Sequence, residues 1–154
     1  MEWTDLNKTF HDLYYEGVDH AALAPDALAA LGNVESVGWS QSLLSMSTES
    51  HLIPTVEAHG IESFFDLITG LEAPTGDLKS THLKEHLRNL GRSPDSVVVI
   101  GDTPDDHAAA ASVGSRSILY DGGSHHRYVL DGVGAPVADS LLHAIEMVHE
   151  EVMW

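Results

Sequence analysis

The apolar positions of this chain fall into short continuous runs separated by longer stretches with helical spacing. The clearest run covers residues 97–100, where four β-branched side chains in a row are typical of a strand buried on both faces of a parallel sheet. Three further runs predict strands at residues 42–46, 64–69 and 117–120.

Between these runs, apolar residues recur every three or four positions and predict helices. The predicted helices cover residues 3–16, 25–31, 79–90 and 108–113, with a last one after Asp139. A further helix should follow Ser47, but Pro54 lies inside it, so the helix either kinks there or begins later. Strands alternating with helices predict a Rossmann-like, three-layer α/β fold around a parallel sheet.

The turn after the strand at residues 97–100 carries the most informative polar residues. Gly101 ends the strand, Asp102 or Thr103 can cap the next helix, and Pro104 suits its first turn. Function in open α/β sheets gathers at such carboxyl ends of strands. Asp102 and Asp106 lie four residues apart, so both carboxylates can approach one point where oxygen ligands suit Mg²⁺.

Composition narrows the class of protein. The 154 residues contain 24 acidic against 7 basic side chains, with a formal net charge of −17, and no cysteine. This charge argues against nucleic acid and anionic membranes as partners, and the missing cysteines exclude thiol catalysis and disulfides. With no run long enough to span a membrane and no secretion signal, we expect a cytoplasmic protein.

The order of three short segments resembles the haloacid dehalogenase-like (HAD) hydrolases. Residues 43–45, Lys79 before its leucine-rich helix, and residues 100–106 look like the second, third and fourth motifs of that family. Their spacing is similar to the phosphoglycolate-phosphatase-like branch, and the resemblance covers roughly residues 25–150.

This resemblance implies a Mg²⁺-dependent phosphatase of a small phosphorylated metabolite. Ser45 and Lys79 would bind the phosphoryl group and act in catalysis, with Met46 beside Ser45 where the family often has Asn. Asp102 would hold the metal ion directly and Asp106 would assist. Lys84, one helical turn after Lys79, is a rival for its role.

The family's first motif, a strand ending in two aspartates whose first is the nucleophile, is not recognisable before Ser45. Residues 1–33 instead resemble the end of a helical cap domain, with the α/β core expected at residues 34–154. The central strand would then be missing and its neighbours would have unpaired edges. We therefore expect a fragment lacking an N-terminal segment, a wrongly started reading frame, half of a split or homo-oligomeric assembly, or a rearranged sheet.

Without that nucleophile, the chain is expected to be incomplete or inactive as a phosphatase. The alternatives are a noncatalytic module that binds phosphate or metal, and an assembly partner in a split enzyme. His82 and His86 have the spacing of a metal-binding pair, but the HExxH arrangement is absent and no third ligand is evident, so a metal site here is not favoured. His125 and His126 could border a pocket near Asp102, although an exposed loop explains them as well.

Overall fold

A computed structural model describes residues 3–6, 23–73, 76–123 and 125–152. Six strands lie in one sheet: β1 (Trp3–Leu6), β2 (Ser40–Thr48), β3 (Ile68–Leu71), β4 (Val97–Gly101), β5 (Arg116–Tyr120) and β6 (Val137–Ala138). Within the described residues, six α-helices accompany them: α1 (Ala27–Ser36), α2 (Glu49–Ala58), α3 (Lys79–Leu90), α4 (Pro104–Val113), α5 (Arg127–Asp131) and α6 (Leu141–Val152). Short 3₁₀ turns cover Glu62–Phe64 and Pro94–Ser96.

The sheet has the strand order β3-β2-β1-β4-β5-β6, and all of its strand pairs are parallel. Because the connections between parallel strands must cross over the sheet, helices cover both of its faces. The predicted Rossmann-like, three-layer α/β fold is confirmed.

Alternate residues of β4 point to opposite faces and divide the core in two. Val98 and Ile100 pack with side chains from α1, α2 and α6, whereas Val97 and Val99 pack with side chains from α3 and α4. All four are fully buried, as the continuous apolar run predicts. This strand therefore lies in the middle layer, with its last residue, Gly101, at the carboxyl edge of the sheet.

The amino terminus differs from the prediction. Trp3–Leu6 is a strand, not the start of a helix, and it lies between β2 and β4, where the sequence analysis expected a missing strand. The physical reason is that both neighbours present backbone N–H and C=O groups that need partners, and this outweighs the local helical spacing. The rest of the predicted helix over 3–16 lies outside the described residues, and the division into residues 1–33 and 34–154 stays a prediction.

Other element boundaries shift for local reasons. The helix predicted at residues 25–31 continues to Ser36, because Gly32 keeps a helical backbone and the chain turns at Gly38, whose φ is +82°. The helix with Pro54 begins at Glu49, so a later start is wrong. The strand predicted at residues 64–69 begins only at Ile68, after the 3₁₀ turn. In the described part of the chain, no helix is long and apolar enough to cross a membrane.

Candidate functional site

Ser45 and Asp102 mark the carboxyl edge of the sheet. Both side chains are fully buried. Ser45 lies in β2, and its Oγ accepts a hydrogen bond from the backbone N–H of Ser47 at 3.1 Å. Asp102 directly follows β4. The two strands are separated by β1 alone, so Ser45 and Asp102 lie about two interstrand spacings, or ~10 Å, apart.

Asp106 closes the turn between β4 and α4. Its Oδ2 accepts hydrogen bonds from the backbone N–H of Asp102 at 2.9 Å and from the backbone N–H and hydroxyl of Thr103, each at 3.1 Å. The hydroxyl of Thr103 in turn accepts from the backbone N–H of Asp106, which completes a capping box. The turn is thus fixed by its own side chains, and Asp102 is held at the end of β4.

Gly101 is required by this arrangement. A Cβ atom at this position would lie 2.3 Å from Oδ2 of Asp106 and 2.5 Å from its Cβ. No side chain fits at such distances, so the glycine makes room for the carboxylate that folds back over it. The sequence Gly101-Asp102 with Asp106 four residues later is therefore one steric and hydrogen-bonded unit.

Lys79 joins this unit from the first residue of α3. Its Nζ donates to Oδ1 of Asp106 at 2.5 Å, and its side chain is only 7% exposed. A cation at a helix N-terminus opposes the helix dipole, so this placement depends on the carboxylate that faces it. Lys84, the rival in the sequence analysis, is exposed. The structure thus brings Lys79, and not Lys84, to Asp106.

The two predicted metal-binding carboxylates have different surroundings. Asp106 accepts hydrogen bonds at both oxygens, from three donors at Oδ2 and from an ammonium at Oδ1, so it does not fit as a direct metal ligand. Asp102 is a buried carboxylate at the sheet edge, which suits a hard cation. Within the described ranges, no group of three or more His, Asp or Glu residues is placed to hold a metal ion.

The register of β1 fixes the level at which its acidic residue lies in the sheet. Asp5 is the acidic residue of this strand, and its Cα pairs with Ser42 in β2 and with Val99 in β4. Each of those residues lies three positions before Ser45 or Asp102, which corresponds to about 10 Å along a strand. The backbone of Asp5 is therefore well inside the sheet, and not at the level of the two site residues.

The loop after β5 contacts the site through a glycine that the sequence analysis did not single out. A Cβ atom on Gly123 would lie 2.3 Å from Oδ2 of Asp102, so the loop backbone passes directly against this carboxylate. The signal in the sequence was the Gly122-Gly123 pair after a strand. His126 is exposed and stacks on the ring of Tyr128, 5.9 Å away, whereas His125 is half-buried.

Tyr120, the last residue of β5, has a raised pKa because it is buried near several carboxylates. Burial raises the pKa of its hydroxyl, and the carboxylates of Asp26, Asp121 and Asp102 raise it further. The Tyr120 hydroxyl therefore stays protonated and can act as a hydrogen-bond donor at the edge of the sheet.

The paired histidines of α3 have separate surroundings. His86 is fully buried, and its ring nitrogens hydrogen-bond the hydroxyls of Ser42 and Thr69, each at 2.7 Å. Burial lowers the pKa of His86 from 6.5 to about 4, so the ring is neutral at pH 7. With both nitrogens engaged by hydroxyls, His86 packs α3 onto β2 and β3, and a metal-binding pair with His82 is not formed.

Met46, the residue after Ser45, lines a surface pocket of about 530 Å³ together with residues of α3 and α4. Lys79 also lines this pocket, which links it to the buried ion pair. The pocket therefore lies next to the residues that the sequence analysis assigned to phosphate.

A protein-family model matches part of this chain. Residues 74–144, which include Lys79, Asp102 and Asp106, match a family model described as HAD-hydrolase-like. A comparison with curated protein sequences finds no match. This match confirms the resemblance over residues 74–144, which contain the third and fourth motifs.

Solved structures share the fold at low sequence identity. A predicted phosphoglycolate phosphatase from Haemophilus somnus 129PT has a TM-score of 0.72 and 18% identity, over 82% of this chain and 57% of the other. A putative β-phosphoglucomutase from Thermotoga maritima has a TM-score of 0.70 and 20% identity, over 82% of this chain and 59% of the other. An uncharacterized protein from Listeria monocytogenes serotype 4b matches over 100% of both chains, with a TM-score of 0.80 and 15% identity. This chain thus spans less than two thirds of the first two proteins.

Proposed function

We propose that this chain, whose sequence over residues 74–144 and whose fold are those of the HAD-like hydrolases, binds the phosphoryl group of a small phosphorylated metabolite for hydrolysis. One observation carries the proposal. Asp106 holds the turn that places Asp102 at the carboxyl edge of the sheet, and the same carboxylate forms a buried ion pair with Lys79 of α3. Ser45 is buried at the same edge. Burying a lysine is costly unless it is paired, and Asp106 supplies that pair, so the ammonium is held in place at the edge where ligands bind in such sheets.

Each side chain has a role that follows from its chemistry. The hydroxyl of Ser45 would donate a hydrogen bond to a phosphoryl oxygen. The ammonium of Lys79 would neutralise phosphoryl charge, and because Asp106 fixes its position, little reorganisation is needed during the reaction. Asp106 acts through Lys79 and through the turn, and it does not touch the substrate.

A magnesium ion is part of the proposal. Asp102 is the described residue that fits as its ligand, since its carboxylate is buried at the strand end and its backbone N–H is held by Asp106. When bound, the ion would offset the negative charge of the phosphoryl group and orient it. By holding the ion at the sheet edge, Asp102 would also keep the phosphoryl group within reach of Ser45 and Lys79.

Hydrolysis through a covalent intermediate further requires a carboxylate nucleophile level with Ser45 and Asp102. The register of β1 places the backbone of Asp5 about 10 Å short of that level. We therefore propose that the isolated chain binds phosphate and metal but hydrolyses phosphate esters slowly or not at all. The same observation favours the second candidate, a noncatalytic phosphate- or metal-binding module. Assembly into a homo-oligomer is also a proposal, which sedimentation would test.

Two measurements on the purified chain test these proposals. The first is hydrolysis of p-nitrophenyl phosphate with and without Mg²⁺. The second is binding of inorganic phosphate by calorimetry under the same conditions. The variants are Asp102→Asn, Lys79→Met and Asp5→Asn, with Lys84→Met as the matched control because this lysine is exposed on the same helix.

We expect phosphate binding that Mg²⁺ strengthens, and that Asp102→Asn and Lys79→Met each weaken at least tenfold, while Lys84→Met leaves it unchanged. Hydrolysis that needs Mg²⁺ and Asp102 but not Asp5 would show that another residue is the nucleophile. Hydrolysis lost in Asp5→Asn would overturn the register argument. An absence of phosphate binding, or equal binding by Asp102→Asn and the wild type, would overturn the proposed function.

A further inference from the structure

The pocket beside Lys79 has a lining suited to more than a phosphate ion. Two segments form it together with Met46: residues 77–80, which lead into α3, and one face of α4. The residues from α4 are spaced at i, i+3, i+4 and i+7, so they share one side of the helix. These four residues are Asp105, Ala108, Ala109 and Ser112.

The lining combines small and apolar residues with acidic ones. Ala108 and Ala109 have short side chains that leave space, and Met46 and Leu78 add aliphatic surface, with Leu78 exposed by 73%. Such surface favours a short hydrocarbon chain, since each methylene that leaves water for an apolar surface adds to binding.

Negative side chains outnumber positive ones among the described residues that line the pocket. Two carboxylates line it, those of Asp77 and Asp105, and both residues are exposed. Among the described lining residues, Lys79 supplies the only cation, and its ammonium already faces the carboxylate of Asp106. A ligand group that enters the pocket beyond the phosphoryl site therefore meets a negative field, which attracts a cation and repels an anion.

We propose that this pocket holds the leaving group of the substrate and selects phosphate monoesters of amino alcohols, in which a short alkyl chain joins the phosphate to an ammonium. The phosphate lies at Ser45, Lys79 and Asp102, the alkyl chain lies on Met46 and Ala108, and the ammonium faces Asp77 and Asp105. This inference rests on the proposed function, because the phosphate contacts orient the chain. It disfavours substrates with a second acidic group, such as a carboxylate.

The volume is consistent with this size of ligand. A pocket of about 530 Å³ lies within the range of small-molecule sites, roughly 300–1,000 Å³. An ammonium about 5 Å from one carboxylate in water gains roughly 0.8 kcal/mol, which is about a fourfold preference over a neutral group. A carboxylate at the same place would be repelled by a similar amount. The affinities of a cationic and an anionic ester should therefore differ by more than tenfold at low salt.

The test compares three esters that differ mainly in the charge at the end of the chain: O-phosphoethanolamine, ethyl phosphate and phosphoglycolate. Binding to the purified chain with Mg²⁺ is measured by calorimetry, because this readout does not depend on turnover. The double variant Asp77→Asn/Asp105→Asn removes the pocket charges. The double variant Glu57→Gln/Glu62→Gln is the matched control, since it removes two exposed carboxylates that do not line this pocket.

We expect O-phosphoethanolamine to bind about fourfold more tightly than ethyl phosphate and more than tenfold more tightly than phosphoglycolate. The pocket variant should bring the three esters to within about twofold, and 1 M salt should do the same, because the Debye length falls to about 3 Å. The control variant should retain most of the order.

The inference is overturned if the three esters bind equally to the wild type, or if their order survives in the pocket variant. Equal binding of all three together with normal phosphate binding would reject the leaving-group pocket and leave the phosphate site intact. Failure of every ester and of inorganic phosphate to bind would reject both proposals. A charge preference in binding without any hydrolysis would support the pocket and assign the chain to the noncatalytic alternative.

Discussion

At the scale of single residues, the site depends on side chains that are fixed before any ligand arrives. Asp106 is the centre of this arrangement, because one carboxylate caps α4, holds the turn at Asp102 and anchors Lys79. Such a buried carboxylate is stable only while its donors are in place. Small changes near Asp106 should therefore have large effects.

Gly101→Ala tests this directly. The added methyl would meet Asp106 at 2.3 Å, so the carboxylate must move, and we expect a loss of about 2 kcal/mol in the free energy of unfolding. Gly32→Ala is the control, because nothing lies within 4 Å of its Cβ position and α1 should gain about 0.5–1 kcal/mol. Urea unfolding measures both, and a Gly101→Ala variant as stable as the wild type would contradict the steric argument.

At the scale of elements, α3 is positioned by polar contacts as well as by leucines. Leu83 and Leu87 bury its apolar face against β4 and α4, and His86 ties the same helix to Ser42 and Thr69. Since Lys79 is the first residue of α3, the packing of this helix decides where the ammonium lies.

The depressed pKa of His86 predicts a pH dependence of stability. In the folded chain the ring stays neutral down to about pH 4, whereas in the unfolded chain it takes up a proton below about pH 6.5. Protons therefore favour the unfolded state, and the stabilisation present above pH 6.5 is lost as the pH falls towards 4. The stability lost by pH 4 is about 3 kcal/mol, because the pKa of His86 is about 4 in the folded chain against 6.5 in the unfolded chain.

The measurement is urea unfolding between pH 7 and pH 4 for the wild type and for His86→Gln. We expect the variant to be less stable at pH 7 but to lose less stability on acidification than the wild type. His51→Gln is the control, because this histidine is exposed on α2. If stability depended on pH identically in the wild type and in His86→Gln, protonation of His86 in the folded chain would cost little free energy, and the prediction would be wrong.

At the scale of the whole molecule, the position of β1 decides whether the sheet is continuous. The strand pairs with β2 on one side and with β4 on the other, so it joins the two halves of the site. Backbone groups in a central strand are hydrogen-bonded on both sides and protected from solvent.

Amide hydrogen exchange tests this placement. We expect the amides of Thr4, Asp5 and Leu6 to exchange at least a hundredfold more slowly than those of Asp77 and Leu78, which lie in a loop. Thr4→Pro should lower the melting temperature, because proline cannot donate to a sheet ladder. Exchange of Thr4–Leu6 as fast as the loop amides would contradict a strand at the centre of the sheet.

Much of the fold followed from the sequence alone. The run of β-branched residues at 97–100, the leucine spacing of α3 and the turn at Gly101 are local signals, and each predicted its element correctly because burial and periodicity agree there. The order of the three motifs also indicated the resemblance to HAD-like hydrolases, which the family model matches over residues 74–144. The cytoplasmic location stays a prediction, because it rests on composition and on sequence signals.

Only the tertiary structure decided the remaining features, because they depend on contacts between distant segments. The choice of Lys79 over Lys84 requires Asp106, which lies 27 residues away, and the contact of Gly123 with Asp102 requires the adjacent strand end. The strand at Trp3–Leu6 has weak local signals, and its place is set by the unpaired backbone of β2 and β4. The sequence thus determined which residues are candidates for the chemistry, and the packing of the chain determined which of them meet.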